Sequence, residues 1–455
     1  MKKHMPTVSR VLFAACLIVV FANGVQAADV EYIKSKLDFR FVANPNSTTG
    51  TAQRINVQQV LDGSGSGAPY TGQSCDKFRK IIKAACGGTV PGADCNHFRN
   101  IIERLLRITE KTVTIYFIDD LNTSITNTSP TWYDACLDSG HAWPCSYAGT
   151  DTTPASITFG SYWLNDTSQF PDFNSILATF CHELMHAQDL SEDRTHMYGN
   201  YYYGADENHY FIEAIPDMSM TYKEGIANMV GFYFYGRWAE QAISWFTRNG
   251  FIIVEKTVPP GYSSNLFLYS MLKQAGVPEI TSGADFEYFK KLYGSSVAST
   301  YGIFRIRSLP ADIIKQNERI IALILYNHGL YTSFDDVFEA IQQVNPSLYR
   351  TCDSAFARLV EALCSQRASP QVESSPDEYL LTLALCDYFT CFKSQTQNEF
   401  ASVFENMLDS QLIQAYWEKR DQIKAAVDIN HPAPGDIFHM SEALGITSTH
   451  SRTAP

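Results

Sequence analysis

Ser175-Ile176-Leu177-Ala178-Thr179-Phe180-Cys181-His182-Glu183-Leu184-Met185-His186 is the stretch on which the reading of this chain turns. Ile176, Leu177, Phe180, Leu184 and Met185 recur at helical spacing, so the segment is expected to be a helix with an inward apolar face. His182 and His186 are four residues apart. On a helix they project from one side, about 40° apart around the axis, and both imidazoles can reach one ion. Glu183 stands beside them, placed to touch a water held by that ion without being a ligand.

Upstream, Ser156-Ile157-Thr158-Phe159-Gly160-Ser161-Tyr162 and Val113–Ile118 are β-branched and aromatic and read as strands. A loop carrying Cys136 and Cys145 separates them. Further back lies a short repeat. Cys75-Asp76-Lys77-Phe78-Arg79-Lys80-Ile81-Ile82 returns as Cys95-Asn96-His97-Phe98-Arg99-Asn100-Ile101-Ile102. The Phe, Ile and Ile of each copy fall at i, i+3 and i+4, which predicts two amphipathic helices in a hairpin, with Cys86 near Cys95. Two copies are too few for a solenoid. Asp62-Gly63-Ser64-Gly65-Ser66-Gly67 has the composition of a linker, and residues 30–60 alternate weakly, as strand-forming sequence does (Leu37, Phe39, Phe41). The first 27 residues read as a signal peptide. Lys2, Lys3 and Arg10 precede the apolar run Val11–Phe21, and Val25-Gln26-Ala27 offers a cleavage site. That run is too short to span a bilayer. The leader has a bacterial style, so the expected location is secreted or periplasmic, without stable membrane insertion.

Downstream, a Tyr-rich loop occupies roughly 198–210, and a second helix is expected from about Asp217 to Tyr235. Beyond residue 240 most segments look helical, among them 264–276, 311–328, 353–366 and 397–426. Pro432, Pro434 and a Ser/Thr-rich end suggest a loosely ordered tail.

The formal charge is -13, or -16 once the three positive charges of Lys2, Lys3 and Arg10 leave with the leader. An acidic chain without basic clusters argues against nucleic acid or anionic lipid as a partner. Eleven cysteines become ten without Cys16, an even count that in an exported chain reads as disulfides. Cys136/Cys145, Cys352/Cys364 and Cys386/Cys391 are the natural local pairs. No CxxC pair exists to suggest a zinc cluster.

The two histidines need a third ligand. Glu224-Gly225-Ile226-Ala227-Asn228 begins 38 residues after His186, inside the second expected helix. Here residues 155–235 resemble the gluzincin metallopeptidases, in which a His-Glu-x-x-His helix is followed by a helix bearing Glu-Gly-x-Ala. The resemblance implies a zincin-like fold, Zn2+ as cofactor, His182, His186 and Glu224 as its ligands, and Glu183 as general base. The residues agree. Gly225 and Ala227 remove bulk where helices must approach, and Asn228, one turn on, could orient a ligand. Glu213 is a rival ligand, because Glu213-Ala214-Ile215-Pro216-Asp217 echoes the Glu-Ala-x-x-Asp of thermolysin-like enzymes. Pro216 departs from that pattern, since it tends to start a helix. Tyr198-Gly199 resembles the aspzincin peptidases, with Ala205-Asp206 and Tyr210-Phe211 as a fainter echo. Thr195 stands where their ligand aspartate belongs, so Asp193 or His196 would have to serve. The metzincin pattern fails, because Asp189 and Glu192 replace its glycine and third histidine.

Several neighbours keep two readings. Asp189 is either a partner for the His186 N–H or a surface carboxylate. Tyr198, Tyr201, Tyr202, Tyr203 and Tyr210 either line a substrate wall or pack a loop. Cys181 reads as a buried thiol. His328 either reaches the oxyanion or holds a helix end.

These readings predict an α+β chain. An N-terminal segment with the helical hairpin (28–110) precedes a zincin-like catalytic domain (111–240), a helical C-terminal domain (241–430) and a tail (431–455). The expected activity is zinc-dependent peptide hydrolysis, with a peptide or protein substrate paired along strand 156–162. The alternatives are an aspzincin-like peptidase with another third ligand, a zinc hydrolase acting on non-peptide amides or esters, and a non-catalytic secreted binding or adhesion protein.

Overall fold

The computed structural model describes residues 28–46, 52–63, 72–126, 137–138, 140–147, 149, 154–188, 212–215, 218–248, 250–256, 268–331, 334–348, 376–403, 410–429 and 436–445. The expected leader (1–27), the Tyr-rich loop and the expected helix 353–366 lie outside these residues.

Alternation of side chains along three short strands builds the sheet. Strand β1 (Leu37–Val42) pairs in parallel with β3 (Val113–Ile118), and β3 pairs in parallel with β7 (Ala155–Gly160). The register aligns Phe39 with Ile115 and Ile157, and Phe41 with Phe117 and Phe159. All six are buried on one face. Their neighbours Asp38, Arg40, Tyr116 and Ser156 are only half-buried and belong to the opposite face. Short antiparallel strands close the two sides, β2 (Gln53–Arg54) beside β1 and β6 (Cys145–Tyr147) beside β7. A two-residue ladder, β4 (Leu137–Asp138) with β5 (His141–Ala142), precedes β6. The chain is thus α+β, with a mixed sheet.

The stretch 30–60 is less uniformly extended than its alternation suggests. It holds helices α1 (Val30–Lys36) and α2 (Val57–Asp62) on either side of β1. Local caps account for both. The Asp29 carboxylate accepts from the Tyr32 N–H at 3.0 Å, and the Asn56 amide oxygen from the Gln59 N–H at 3.3 Å. Gly63 ends α2 in the left-handed region, at φ 66°.

The repeat forms the expected pair of helices, α3 (Asp76–Ala85) and α4 (Cys95–Thr109), in the crossover between β1 and β3. The two copies take different jobs. Phe78 stacks on Phe117 of the sheet at 4.6 Å, whereas Phe98 meets Phe180 edge-on at 5.5 Å. Buried Arg99 donates to the Ala84 and Gly88 carbonyls, at 2.8 and 3.1 Å, and so satisfies the end of α3. Because β1 and β3 share one sheet, that sheet runs across the boundary expected at 110/111.

After β7 come α5 (Ser161–Leu164), α6 (Phe173–Ala187), α7 (Met218–Phe234) and α8 (Gly236–Arg248). The region beyond 240 is not purely helical. Strands β8 (Phe251–Glu255) and β9 (Tyr301–Arg305) pair antiparallel around a small core of Phe251, Ile253, Phe289 and Ile303. Between them lie α9 (Leu268–Gln274), α10 (Ala284–Tyr293) and α11 (Ser295–Thr300). The expected helix 311–328 is interrupted, as α12 (Ala311–Ile314) and α13 (Glu318–Tyr331). Asn317 separates them and caps α13, its side-chain oxygen accepting from the Ile320 N–H at 3.1 Å. Then follow α14 (Phe334–Leu348), α15 (Pro376–Phe389), α16 (Gln397–Val403), α17 (Ser410–Ala425) and α18 (Asp436–Ala443). Helix α18 lies in the segment expected to be loose. Buried Met440 and a bond from the Tyr388 hydroxyl to Asp436 at 3.3 Å fix it.

One of the three expected cysteine pairs needs correcting. Cys386 and Cys391 are both thiols, as are Cys75, Cys86, Cys95 and Cys181. Burial pushes the Cys86 thiol up to about 12 and raises Cys75, Cys181 and Cys391 as well, so these are protonated, weakly nucleophilic groups. Cys145 is disulfide-bonded, and its expected partner Cys136 lies outside the described residues, as do Cys352 and Cys364.

Among the described residues no helix is long and apolar enough to cross a membrane.

Candidate metal centre

Two helices carry the site. The Asp172 carboxylate caps α6, accepting from the Ser175 N–H at 2.9 Å. Its other oxygen accepts from the Tyr235 hydroxyl at 2.5 Å, just past the end of α7. Further along α6, the Ala178 carbonyl lies 3.7 Å from where a side chain on Gly231 would begin. Further still, His182 and His186 meet Glu224. The contacts run forward along α6 and backward along α7. The helices are therefore antiparallel, joined at one end by Asp172–Tyr235 and at the other by the two histidines and the glutamate.

Almost all of α6 from Ser175 onward is buried, and the half-exposed positions are Thr179, His182 and His186. These fall at i, i+3 and i+7, one stripe of the helix. On α7, Glu224 is the one half-buried residue in the otherwise buried run 221–232. The three side chains thus share one partly open spot.

Their geometry is tight. The Nε2 atoms of His182 and His186 lie 3.2 Å apart, and Glu224 Oε2 is 3.4 Å from the first and 3.3 Å from the second. Among the described residues this is the one cluster of three His, Cys, Asp or Glu ligand atoms close enough to hold an ion. Zinc binds nitrogen and oxygen at about 2.0–2.2 Å, so the edge of its tetrahedron is about 3.3–3.6 Å. The three sides of the triangle come close to those dimensions. A single shared proton could hold two of the three atoms together, but one cation at the apex satisfies all three.

Glu183 points elsewhere. It is 8 % exposed, on the side of α6 that lies against β6 and β7, and its Oε2 accepts from the Ser146 hydroxyl at 2.9 Å. Ser146 is opposite Ile157 in the register, so it belongs to the helix-facing side of the sheet. Nothing in the string Pro144-Cys145-Ser146-Tyr147 marks it as functional. The contact arises from strand pairing across the sheet and could not be found by spacing.

Several expected neighbours are placed differently. Gly225 faces α13: a side chain there would begin 2.6 Å from Ile321 Cγ2. The close approach it permits is with α13 and not with the histidine helix. Asn228 does not orient a ligand, because its amide donates to Glu318 Oε1 at 3.1 Å in the buried α7–α13 contact. Glu213 is fully buried in an extended segment bridged to Ile253, where its carbonyl accepts from Asn317 at 3.0 Å. It is not part of the three-atom cluster. His328 is buried where α13 meets α15, its Nδ1 in contact with the Thr382 hydroxyl, which favours the structural reading. Cys181 is a fully buried thiol. Strand β7 has no open side for a substrate, since β3 and β6 pair with it on both sides and Ser161–Leu164 is helical. Among the described residues the edge strand next to the site is β6. Asp189, Glu192, Asp193, His196, Tyr198, Tyr201, Tyr202, Tyr203 and Tyr210 lie outside the described residues.

No protein-family model matches this chain, and comparisons with curated proteins and with solved structures find no match.

Proposed function

We propose that this chain is a zinc-dependent hydrolase, and more specifically an exported peptidase of the gluzincin type. The observation that carries the reading is the His182–His186–Glu224 triangle, whose three sides come close to the edge of a zinc tetrahedron. His182, His186 and Glu224 would hold the ion, which supplies Lewis acidity and makes a water molecule acidic enough to act near neutral pH. The protein's part is then a division of labour along one helix. His182 and His186 take the ligand stripe, and Glu183, one residue away, keeps its carboxylate off the triangle. Its Oε2 is engaged by Ser146, and Oε1 would be the oxygen that receives a proton. A purely structural metal site closes its positions with protein ligands and has no use for such an acid. A substrate backbone would lie along the edge strand β6. The expected amino-terminal leader supports export.

The test is the mature chain expressed with zinc and assayed on a peptide library. One zinc per chain and cleavage of some peptides are expected. Glu183→Gln should keep the zinc and lose activity by roughly 10²–10⁴-fold. Full activity in that variant would reject the mechanism.

A further inference from the structure

Ser146 has no place in the sequence motif, yet its hydroxyl is the group that meets the base. A serine hydroxyl carries one proton, and the 2.9 Å contact gives it to Glu183 Oε2. A glutamate side chain has three rotatable bonds, so without a second anchor its carboxylate samples several positions. Burial alone does not choose among them. The edge strand does: the pairs Ser146–Ile157 and Cys145–Thr158 fix where the hydroxyl sits, and α6 lies against both β6 and β7. The bond spans 37 residues and joins an edge strand of the sheet to the helix that carries the histidines.

We infer that Ser146 is a positioning residue, which holds the Glu183 carboxylate in the orientation that leaves Oε1 for the proton. Its hydroxyl is given to Glu183 and acts through that carboxylate, not on the metal. The inference rests on the hydrolase reading above. It also ties substrate binding to the base, because a backbone docking along β6 would settle the strand that carries the hydroxyl.

The experiment has two arms. In the first, Ser146→Ala in the zinc-loaded chain should lower kcat about ten- to a hundredfold, with KM within about twofold and zinc content unchanged. Ser146→Thr, which restores the hydroxyl, should recover most of the rate. Unchanged kcat in Ser146→Ala overturns the inference, as does a Thr variant no better than Ala. Should Ser146→Ala fold poorly, Ser146→Cys keeps the size with a weaker donor, and a kcat equal to wild type would then count against it. The second arm needs no activity. A double-mutant cycle of Ser146→Ala and Glu183→Ala in urea unfolding should be non-additive. Additivity overturns the contact itself. Non-additivity in a zinc-loaded wild type that cleaves no peptide would leave the contact standing and sink the hydrolase reading instead.

Discussion

Two of the places where the described residues gather ionisable side chains do it in opposite ways. At the far end of the helical region Asp387 is fully buried and saturated by its neighbours. The Tyr416 hydroxyl and Arg420 Nε donate to Oδ2 at 2.6 and 2.5 Å, and Arg420 Nη2 donates to Oδ1 at 3.3 Å. Arg420 also reaches the Phe392 carbonyl at 3.1 Å and lies over the Trp417 ring at 4.5 Å. Acid and base cancel, and the Arg420 Nε and Nη2 donors both find acceptors. At the α6–α7 pair the assembled atoms are two imidazole nitrogens and a carboxylate oxygen, half-open to the outside. A closed set of complementary groups holds a fold together. A converging set of electron-pair donors is what the proposed zinc ion would bind.

The comparison can be broken from either side. The largest effect is expected at the closed set. Asp387→Ala strands a buried guanidinium and should cost about 3–5 kcal/mol of stability, read by urea unfolding, while zinc affinity stays as it was. An equal loss of zinc would show that the two regions are not independent. Next comes the open set. Glu224→Ala should weaken zinc binding about a hundredfold, ~2.7 kcal/mol, in competition with a chelator, with little change in unfolding of the metal-free protein. A third variant links the two properties. Gly225→Ala drives a methyl group into Ile321 and should cost about 1–3 kcal/mol. It should also weaken zinc binding, because the adjacent Glu224 moves with the backbone. Stability lost with affinity intact would mean that α7 absorbs the strain without passing it on. The smallest effect belongs to Glu213→Ala, which should leave zinc affinity within about twofold. A larger loss there would move the third ligand to Glu213.

The parts of the fold legible in the sequence are those where one period dominates. Phe39 and Phe41, Ile115 and Phe117, Ile157 and Phe159 each alternate within their strand, and each strand is present. The two phenylalanine-led repeats are helices because three apolar residues at i, i+3 and i+4 suffice to define a face. In the site, His182 and His186 converge because four residues nearly complete a helical turn. Glu224 is reachable only through the Glu-Gly-x-Ala pattern. Where expectation and structure part, a tertiary partner decides. Gly225 does allow a close approach, but composition cannot name the helix that approaches, and it is α13. Ser146 gains its meaning from a strand register. Strands β8 and β9 pair across the whole of residues 256–300, a separation that no local period encodes.

The placement of Gly225 has one more consequence. Helix α7 is held between α6 on one side and α13 on the other. Its glycine touches Ile321 one residue away from the glutamate that faces the histidines. The bulk of Ile321 therefore limits how far α7 can lean away from α6, and so how wide the triangle opens. On the proposed reading, Ile321 would act as a spacer for an ion it never meets. Tuning the grip on a metal in this fold would start in the hydrophobic core, with the thickness of an aliphatic side chain, before any ligand is exchanged.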